Sequence, residues 1–258
     1  MEPGLLDEFR CIKDRHWWYR GRRTVLAAIL RRLRPRSPLG PVLDLGAGPA
    51  TNAALLRGLG APIVALDIAR DAVLHGLRTG YARGVAGDAT ALPFADEAFG
   101  FVAALDVVEH LDDDAEALGE VRRVLKPGGV LLMVVPAFAA LWGWQDEVSG
   151  HRRRYAPDMA RRLLTTTGFT VDRVTCMNAA LALPVLAARR ALGWSGWAAR
   201  SENKLTPGWL DPLLYAIFAA EAPIAARWSI PYGTSVVCLA RRRDQNGSLP
   251  ASIAGQAR

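Results

Sequence analysis

The sequence predicts an α/β fold in which a mostly parallel sheet is covered by helices on both faces. Two apolar strands, residues 41–45 and 61–66, are followed by the glycine turn Gly46-Ala47-Gly48 and by Asp67, and apolar and helical segments then alternate along the chain. The glycines permit positive φ and a close ligand approach, and the next helix offers its N-terminal amides. The first strand therefore predicts a nucleotide-type site at its carboxyl end.

The remaining elements are predicted in order from apolar periodicity and turn residues. Strands are expected to end at Gly87-Asp88-Ala89 and to cover residues 99–106, 130–135, 169–176 and 234–240. Helices are expected over residues 24–33, 52–59, 112–125 and 157–167, with a turn at 126–129. We therefore expect one domain over residues 1–243, with a helical segment at 1–38 before a cofactor-binding core at 40–136, and a disordered polar tail at 244–258.

About 55 residues separate the last two predicted strands, which is long for a connection inside a compact domain. Helical periodicity over residues 179–192 and 210–228 predicts a helical cap insertion at 177–232. The cap contains four tryptophans, at positions 194, 197, 209 and 228. Its apolar surface is expected to line an acceptor pocket, to rest on a membrane, or to pack on the core. Glu221 within it is expected to pair with an arginine of the cap or to face the acceptor.

Several motifs in this order resemble the class I S-adenosylmethionine-dependent methyltransferases, in particular the branch with ubiquinone-type O-methyltransferases. The resemblance covers residues 40–136 well, and Ala50 departs from it because the family often has a third glycine there. It is carried by Asp44-Leu45-Gly46-Ala47-Gly48, Asp67, Gly87-Asp88-Ala89, Leu92-Pro93-Phe94, Glu109-His110-Leu111 and Leu125-Lys126-Pro127-Gly128-Gly129.

The resemblance implies a Rossmann-like sheet of seven strands with the last strand antiparallel, and an N-terminal helical segment that acts as a lid. It also implies S-adenosylmethionine as the cofactor. Glycines 46 and 48 would lie beside its methionine part, Asp67 at its ribose and Asp88 at its adenine amine. The complete set of predicted cofactor residues is Asp44, Gly46, Ala47, Gly48, Asp67, Ile68, Asp88, Ala89 and Asp106.

Two other functions fit parts of this pattern. A nicotinamide-dependent dehydrogenase would carry Gly-x-Gly-x-x-Gly, but the residue three positions beyond Gly48 is Thr51, and no second glycine turn follows the fifth strand. A non-catalytic module that binds the cofactor or a partner would keep Gly46 and Asp67 and lack an acceptor pocket. The segments at residues 109–110 and 151–155 favour an enzyme over such a module.

The predicted reaction is methyl transfer to a small hydrophobic acceptor, most simply at a hydroxyl oxygen. Carbon or nitrogen methylation, including that of a lipid-linked substrate, stays open. A hydroxyl acceptor makes a base useful, so His110 and His151 are predicted catalytic residues, together with Glu109. The predicted substrate-binding residues come from the N-terminal segment, the loop after the fifth strand and the cap: Trp18, Arg23, Trp142, Arg154, Tyr155 and Glu221.

The segment Asp106-Val107-Val108-Glu109-His110 also resembles a Glu-x-x-Glu-His metal motif of ubiquinone-type enzymes, with aspartate in place of the first glutamate. Asp106, Glu109 and His110 are therefore candidate ligands of Mg²⁺, which would orient a hydroxyl and lower its pKa. The alternatives are that His110 acts directly in catalysis or substrate binding, or that it caps the end of the strand.

Composition limits the partners. The chain has 258 residues, is 51% hydrophobic and carries a net charge of +7, with arginines in clusters. The clusters are expected to form a solvated surface or to contact an anionic membrane or lipid. Nucleic acid is disfavoured because, apart from His16-Trp17-Trp18-Tyr19-Arg20, aromatic residues do not interleave with the basic runs. Three cysteines without metal spacing argue against a disulfide framework. No secretion signal or membrane span is expected, so the predicted location is cytoplasmic, with peripheral contact at the inner face of the membrane as an option.

Overall fold

The computed structural model of the protein describes residues 12, 14–33, 40–195 and 206–243, and the predicted tail at 244–258 lies outside the described residues. A seven-stranded sheet has the order β3-β2-β1-β4-β5-β7-β6. Its strands are β1 (Val42–Leu45), β2 (Ile63–Asp67), β3 (Arg83–Ala86), β4 (Phe99–Leu105), β5 (Leu125–Pro136), β6 (Phe169–Met177) and β7 (Ser235–Arg242). The pairs among β1 to β5 are parallel, and β7 is antiparallel to both β5 and β6. The predicted α/β fold with an antiparallel last strand is confirmed.

The helices connect these strands on both faces. They are α1 (Trp17–Leu33), α2 (Ala53–Arg57), α3 (Arg70–Arg78), α4 (Asp114–Val124), α5 (Trp144–Ser149), α6 (Pro157–Thr166), α7 (Ala182–Ser195), α8 (Asp211–Ala220) and α9 (Ala222–Arg227). Every residue of β1 and β4 is buried, as expected of parallel strands with both faces covered. Two apolar cores result, one on each face of the sheet.

Three element boundaries differ from the sequence prediction. Helix α1 begins at Trp17 instead of residue 24, because Trp17 and Tyr19 are buried on the same helix and extend its apolar contact with the core. The predicted turn at residues 126–129 is part of β5, since Leu125 already pairs with Phe99. The cap also contains two helices after residue 210, α8 and α9, which separate at Glu221.

Helices α8 and α9 pack against α1, where Phe218, Ala222 and Ala225 join the core. Among the described residues, the stretch Gly208–Arg227 is long and apolar enough to cross a bilayer by length and composition alone, although 28% of its apolar window is buried in the protein. This stretch is longer than the apolar run seen in the sequence at residues 213–226. The helical cap thus lies beside the N-terminal helix and over one end of the sheet.

Candidate active site

A cavity of about 360 Å³ opens at the carboxyl ends of β1 and β4. The glycine turn after β1 forms its floor, α1 covers it through Trp17, Trp18 and Arg22, and the cap contributes Val185 and Ala188. The loops after β4 and around α5 add His110 and His151. Ligands of open α/β sheets bind at this edge, and the volume is within the range of small-molecule sites.

The glycine turn is shaped for a ligand to approach the backbone. Gly46 and Gly48 have φ of +65° and +49°, and a Cβ on Gly46 would lie 2.4 Å from Cγ2 of Val107. The Gly48 N–H donates to Oδ2 of Asp67 at 2.8 Å, which ties the turn to the end of β2. Ala50 has φ of +56°, a conformation that costs a non-glycine residue energy. Ala50, which stands where the family often has glycine, therefore still adopts the backbone conformation that glycine favours.

Asp44 does not line the cavity but lies buried beneath the turn. The Tyr81 hydroxyl donates to its Oδ2 at 2.5 Å, and Asn52, which does line the cavity, donates to its Oδ1 at 3.4 Å. Burial raises the pKa of Asp44 to about 6, and the hydrogen bonds from Tyr81 and Asn52 oppose that rise. Asp44 therefore supports the glycine turn from beneath, and its cofactor-binding role stays a prediction.

The other predicted cofactor residues on neighbouring strands lie outside the cavity lining. Asp67 ends β2, next to β1, and Ile68 after it is 79% exposed. Asp88 is exposed and follows β3, where hydrogen bonds from the Thr90 N–H and hydroxyl lower its pKa. Ala89 is buried beside it. These residues lie at or just after the carboxyl ends of β2 and β3, on the same edge of the sheet as Gly48. Their cofactor roles stay predictions.

A buried ion pair closes the opposite side of the turn. Arg22 of α1, 4% exposed, holds its Nη2 2.7 Å from Oδ2 of Asp106, which is 28% exposed. Asp106 reaches this position with φ of +57° immediately after β4. The Arg22 guanidinium lies 5.2 Å from the ring of Trp18, and its Nε has no hydrogen-bond partner in the described part of the chain. The pair offers a cation and an anion beside the glycine turn.

Arg23 is placed elsewhere, so its predicted substrate contact is corrected. Its Nη2 is 3.7 Å from Asp14, and it lines a second cavity with Arg20 and Tyr215 on another side of α1. The helical phase explains the difference: Trp18 and Arg22 are four positions apart and share a face, whereas residue 23 turns away. Arg22, not Arg23, carries the positive charge of this helix into the cavity lining.

His151 is held in a fixed orientation by a carboxylate. Its Nδ1 is 2.7 Å from Oδ1 of Asp146, and Arg154 donates to both oxygens of Asp146, at 2.8 and 2.9 Å. Burial would raise the pKa of Asp146, but hydrogen bonds from His151 and Arg154 outweigh it and lower the pKa to about 2. An ionised Asp146 fixes the proton on Nδ1 and leaves Nε2 of His151 as an acceptor at the cavity. Arg154 therefore supports Asp146 rather than lining the substrate cavity.

His110 and Glu109 lie beside this imidazole. The His110 and His151 rings are 4.8 Å apart and edge-to-face, and His110 Nδ1 is 3.3 Å from the Gly150 carbonyl. Burial and the charge of His151 lower the pKa of His110 to about 4. Glu109 is fully buried, with neither carboxylate oxygen hydrogen-bonded within the described residues, and burial followed by the charge of Asp106 raises its pKa well above the usual value. The lowered pKa keeps the His110 imidazole neutral at neutral pH, and the raised pKa of Glu109 shifts that carboxyl towards its protonated form.

The donor set does not match the predicted Mg²⁺ site. Asp106 is engaged by Arg22, whereas the atoms that approach one another within 4.8 Å belong to Glu109, His110 and His151. Mg²⁺ prefers oxygen ligands, while two imidazoles and one carboxylate suit zinc and other first-row transition metals. The side chains that lie together are Glu109, His110 and His151, not the predicted set of Asp106, Glu109 and His110. The observed set does not fit Mg²⁺.

Three further predicted substrate residues have structural partners away from the cavity lining. Trp142 is partly exposed and donates through Nε1 to Glu147 at 3.0 Å. Tyr155 is fully buried and donates to Asp114 at 2.8 Å. Glu221 is buried and accepts the Ala180 N–H at 2.8 Å. Within the described residues, each of these side chains stabilises a loop or helix end, and their substrate contacts stay predictions.

Sequence reasoning left several residues of the site unassigned, among them Arg22, Asn52, Asp146 and Arg189. Asp146 and Arg154 meet because α5 and the loop after it fold back on each other, a contact with no local sequence signal. Arg189 of α7 lines the cavity and lies 3.8 Å from Asp146. Only Arg22 had a signal, namely its spacing from Trp18 on one helix face.

Comparisons with known proteins agree with this geometry. Residues 43–133 match the family model described as a methyltransferase domain. A "probable S-adenosylmethionine-dependent methyltransferase" of Mycolicibacterium smegmatis is 30% identical over 174 residues, which span 66% of this chain and 63% of that relative. A demethylmenaquinone methyltransferase of Streptomyces avermitilis is 31% identical over 195 residues, covering 73% of this chain and 79% of that protein.

A solved structure shows the same fold over nearly the whole chain. The complex between the Haloferax volcanii Trm112 methyltransferase activator and its methyltransferase contains a chain with a TM-score of 0.62 and 19% identity, with 94% of this chain and 96% of that chain covered. The similarity in fold, the matched domain and the S. avermitilis relative identify the family. The chain belongs to the S-adenosylmethionine-dependent methyltransferases.

Proposed function

We propose that the protein methylates a hydrophobic hydroxyaromatic acceptor of the quinol type, with His151 as the general base. The observation that carries the proposal is the Asp146–His151 pair, which presents the Nε2 atom to the same cavity that the glycine turn lines. Membership of the family by itself defines neither the acceptor class nor the base.

The chain's own residues fit the two ends of the cofactor. Gly46 leaves room that a Cβ would fill, and the cation of Arg22 and the anion of Asp106 match the carboxylate and ammonium of a methionine moiety. Asp67 and Asp88 supply carboxylate acceptors farther along the sheet edge. When bound, S-adenosylmethionine supplies an electrophilic methyl group whose bond to sulfur breaks as sulfur takes up the electron pair.

The proposed task of His151 is to remove the acceptor's proton. Its Nε2 takes the hydroxyl proton, and the electron pair left on the acceptor forms the new bond to the methyl carbon, at oxygen or at a conjugated ring carbon. The ionised Asp146 stabilises the imidazolium that results. Arg154 and Arg189 hold Asp146 in place, so the base is positioned before the acceptor arrives.

His151 is a better base than His110 for a physical reason. Burial lowers the pKa of His110 to about 4, and the charge of Asp106 opposes this only in part, so its imidazole is a weak proton acceptor at neutral pH. His110 instead lines the cavity, with the buried Glu109 beside it. Their proposed role is to hold the acceptor hydroxyl near His151, whose Nε2 lies 3.9 Å from Oε1 of Glu109.

The hydrophobic acceptor class rests on two supports. The cavity walls opposite the glycine turn are apolar or aromatic, with Trp17, Trp18, Val185 and Ala188 among them. The S. avermitilis relative carries the name demethylmenaquinone methyltransferase, and this name suggests an acceptor with a ring hydroxyl and a lipid tail. Other hydroxyaromatic acceptors and carbon methylation are included in the same chemistry, because a phenolate is nucleophilic at oxygen and at ring carbon.

The first test is calorimetric titration of the full-length protein with S-adenosylhomocysteine and, separately, with NAD. We expect saturable binding of S-adenosylhomocysteine alone. Incubation with S-adenosylmethionine and a short-chain prenylated naphthoquinol should then yield a methylated product, whose methylated atom is assigned by NMR. The matched control is the same compound with both hydroxyls blocked as ethers, which should not react.

The outcomes separate the parts of the proposal. Binding without turnover on the naphthoquinol would contradict the acceptor class, and turnover on the blocked ether would contradict the base. Elemental analysis of the purified protein tests the metal alternative: a stoichiometric transition metal that is lost in His151→Asn would make His151 a ligand and not a base. We expect turnover to be unchanged by EDTA and by added Mg²⁺.

A further inference from the structure

The outward face of the α8–α9 helix pair is apolar over about five turns. Residues on this side recur at helical spacing and are exposed, with Trp209 79% and Trp228 65% exposed. Together they form the face defined here as the apolar face: Trp209, Pro212, Leu213, Ala216, Ala220, Pro223, Ile224 and Trp228. A surface helix that faces water normally presents charged and polar residues there.

The described residues of this face include no aspartate or glutamate. Both acids of the stretch Gly208–Arg227 lie off it: Glu221 is buried, and Asp211 is only partly exposed. Arg227 is the exposed charge of the stretch. The chain has placed the carboxylates inward and left tryptophan, leucine and isoleucine outward, which is the opposite of the arrangement that water favours.

The other side of the helix pair is anchored in the protein. Phe218, Ala222 and Ala225 are buried in the core, and the ring of Trp17 on α1 lies 6.2 Å from that of Phe218. The two helices separate at Glu221, whose carboxylate binds the Ala180 N–H. Because one side is packed on α1, the stretch is suited to lie on a membrane surface rather than to cross a bilayer.

Basic residues lie at the Trp228 end of the apolar face. Arg173 of β6 donates to the carbonyls of Ala226 and Trp228. Burial lowers the pKa of Arg173, and the charge of Arg32 lowers it further, so Arg32 is nearby. Arg31 and Arg32 form the exposed last turn of α1, the helix against which α9 packs. Arg227 adds another cation at this end.

From this arrangement we propose that the apolar face docks on an anionic lipid surface. Tryptophans at the two ends of the face suit the interface between headgroups and acyl chains, and the basic residues would contact lipid phosphates. The absence of acids from the described face and the flanking cations give charge complementarity to such a membrane. The inference is independent of the proposed acceptor, although a membrane site would bring a lipid-tailed acceptor close to the cavity.

The test is flotation of the full-length protein with phosphatidylcholine vesicles that contain one quarter phosphatidylglycerol, with pure phosphatidylcholine vesicles as the neutral arm. We expect binding to the anionic vesicles that weakens at high salt, and little binding to the neutral ones. Trp209→Gln with Leu213→Gln and Trp228→Gln should abolish binding. Arg31→Gln with Arg32→Gln should weaken it about fivefold for each charge removed.

Control variants replace apolar or basic side chains by glutamine elsewhere on the surface. Leu74→Gln with Met159→Gln removes exposed apolar side chains from α3 and α6, and Arg78→Gln with Arg83→Gln removes two charges near β3, at the opposite edge of the sheet. Both should bind like the parent protein. Thermal melting and S-adenosylhomocysteine titration show whether each variant is folded.

Three results would overturn the proposal. The first is no binding of the folded parent protein to the anionic vesicles. The second is equal loss of binding in the face variants and their controls. The third is a stable dimer in sedimentation velocity that the face variants alone dissociate, because a second copy of the chain would then cover the face.

Discussion

The cofactor side and the acceptor side of the cavity differ in how far apart in sequence their contacting residues are. On the cofactor side, Gly46, Gly48 and Asn52 come from one turn, and Asp67 lies at the end of the next strand. On the acceptor side, Asp146 orients His151, which lies beside Glu109. The comparison shows that the local backbone conformation defines the first half, whereas tertiary packing of α1, α5 and the cap defines the second.

The largest expected effect is on the acceptor side. His151→Asn removes the proposed base and should lower turnover about 10²–10⁴-fold, while S-adenosylhomocysteine affinity measured by calorimetry should stay the same. The matched control is His75→Asn on α3, which lies outside the cavity lining. If both variants turn over like the parent protein, the acceptor side has another base or needs none.

Substitutions in the Arg22–Asp106 ion pair test how much the cavity depends on the packing of α1. Arg22→Met leaves the Asp106 carboxylate without its partner and should lower the free energy of unfolding by about 3 kcal/mol, the low end for a buried pair because Asp106 is 28% exposed. Arg23→Met, one position away, breaks a 3.7 Å pair with Asp14, which is 75% exposed, and should cost about 1 kcal/mol or less. Urea unfolding measures both.

A double-mutant cycle sharpens this prediction. Asp106→Asn in the Arg22→Met background should cost less than it does alone, because the unpaired charge is removed with it. Additive losses would mean that the two side chains stabilise the protein separately. Equal losses in the Arg22 and Arg23 variants would contradict a special contribution of the Arg22–Asp106 pair to stability.

This difference in range explains how much could be predicted. The positions of the strands followed from apolar runs, the antiparallel last strand followed from the family resemblance, and residues such as Gly46 and Asp67 have spacings that the chain displays directly. Tyr155, Arg154 and Glu221 were predicted to bind substrate because they carry suitable groups near the right sheet edge. The structure instead uses those groups to satisfy buried partners at Asp114, Asp146 and the Ala180 N–H, and sequence spacing contains no information about such pairings.

On the cofactor side, two glycines separate steric from conformational effects. Gly46 and Gly60 both have positive φ, at +65° and +72°. A Cβ would meet Val107 at Gly46 but nothing within 4 Å at Gly60. Gly46→Ala should therefore lower the free energy of unfolding by about 1–3 kcal/mol more than Gly60→Ala, and it alone should weaken S-adenosylhomocysteine binding. Equal effects of the two substitutions would show that the clash with Val107 relaxes without cost.

The smallest expected effect concerns the support beneath the turn and depends on pH. Burial raises the pKa of Asp44 to about 6 in the folded protein, above its usual value of 3.8, so ionisation of Asp44 destabilises the fold as pH rises between these values. Tyr81→Phe removes a donor to the ionised form and raises that pKa further. The substitution should cost about 1–2 kcal/mol at pH 8 and clearly less at pH 5, where Asp44 is protonated in both folded proteins.

Urea unfolding at the two pH values measures this difference, and Tyr232→Phe at an exposed position serves as the control. A loss of stability that is the same at pH 5 and pH 8 would mean that Tyr81 contributes through ring packing alone. A loss confined to the higher pH would show that the glycine turn lies on a carboxylate whose charge is stabilised by Tyr81. In that case the cofactor side also depends on one contact, from residue 81 to residue 44, that the local motif does not reveal.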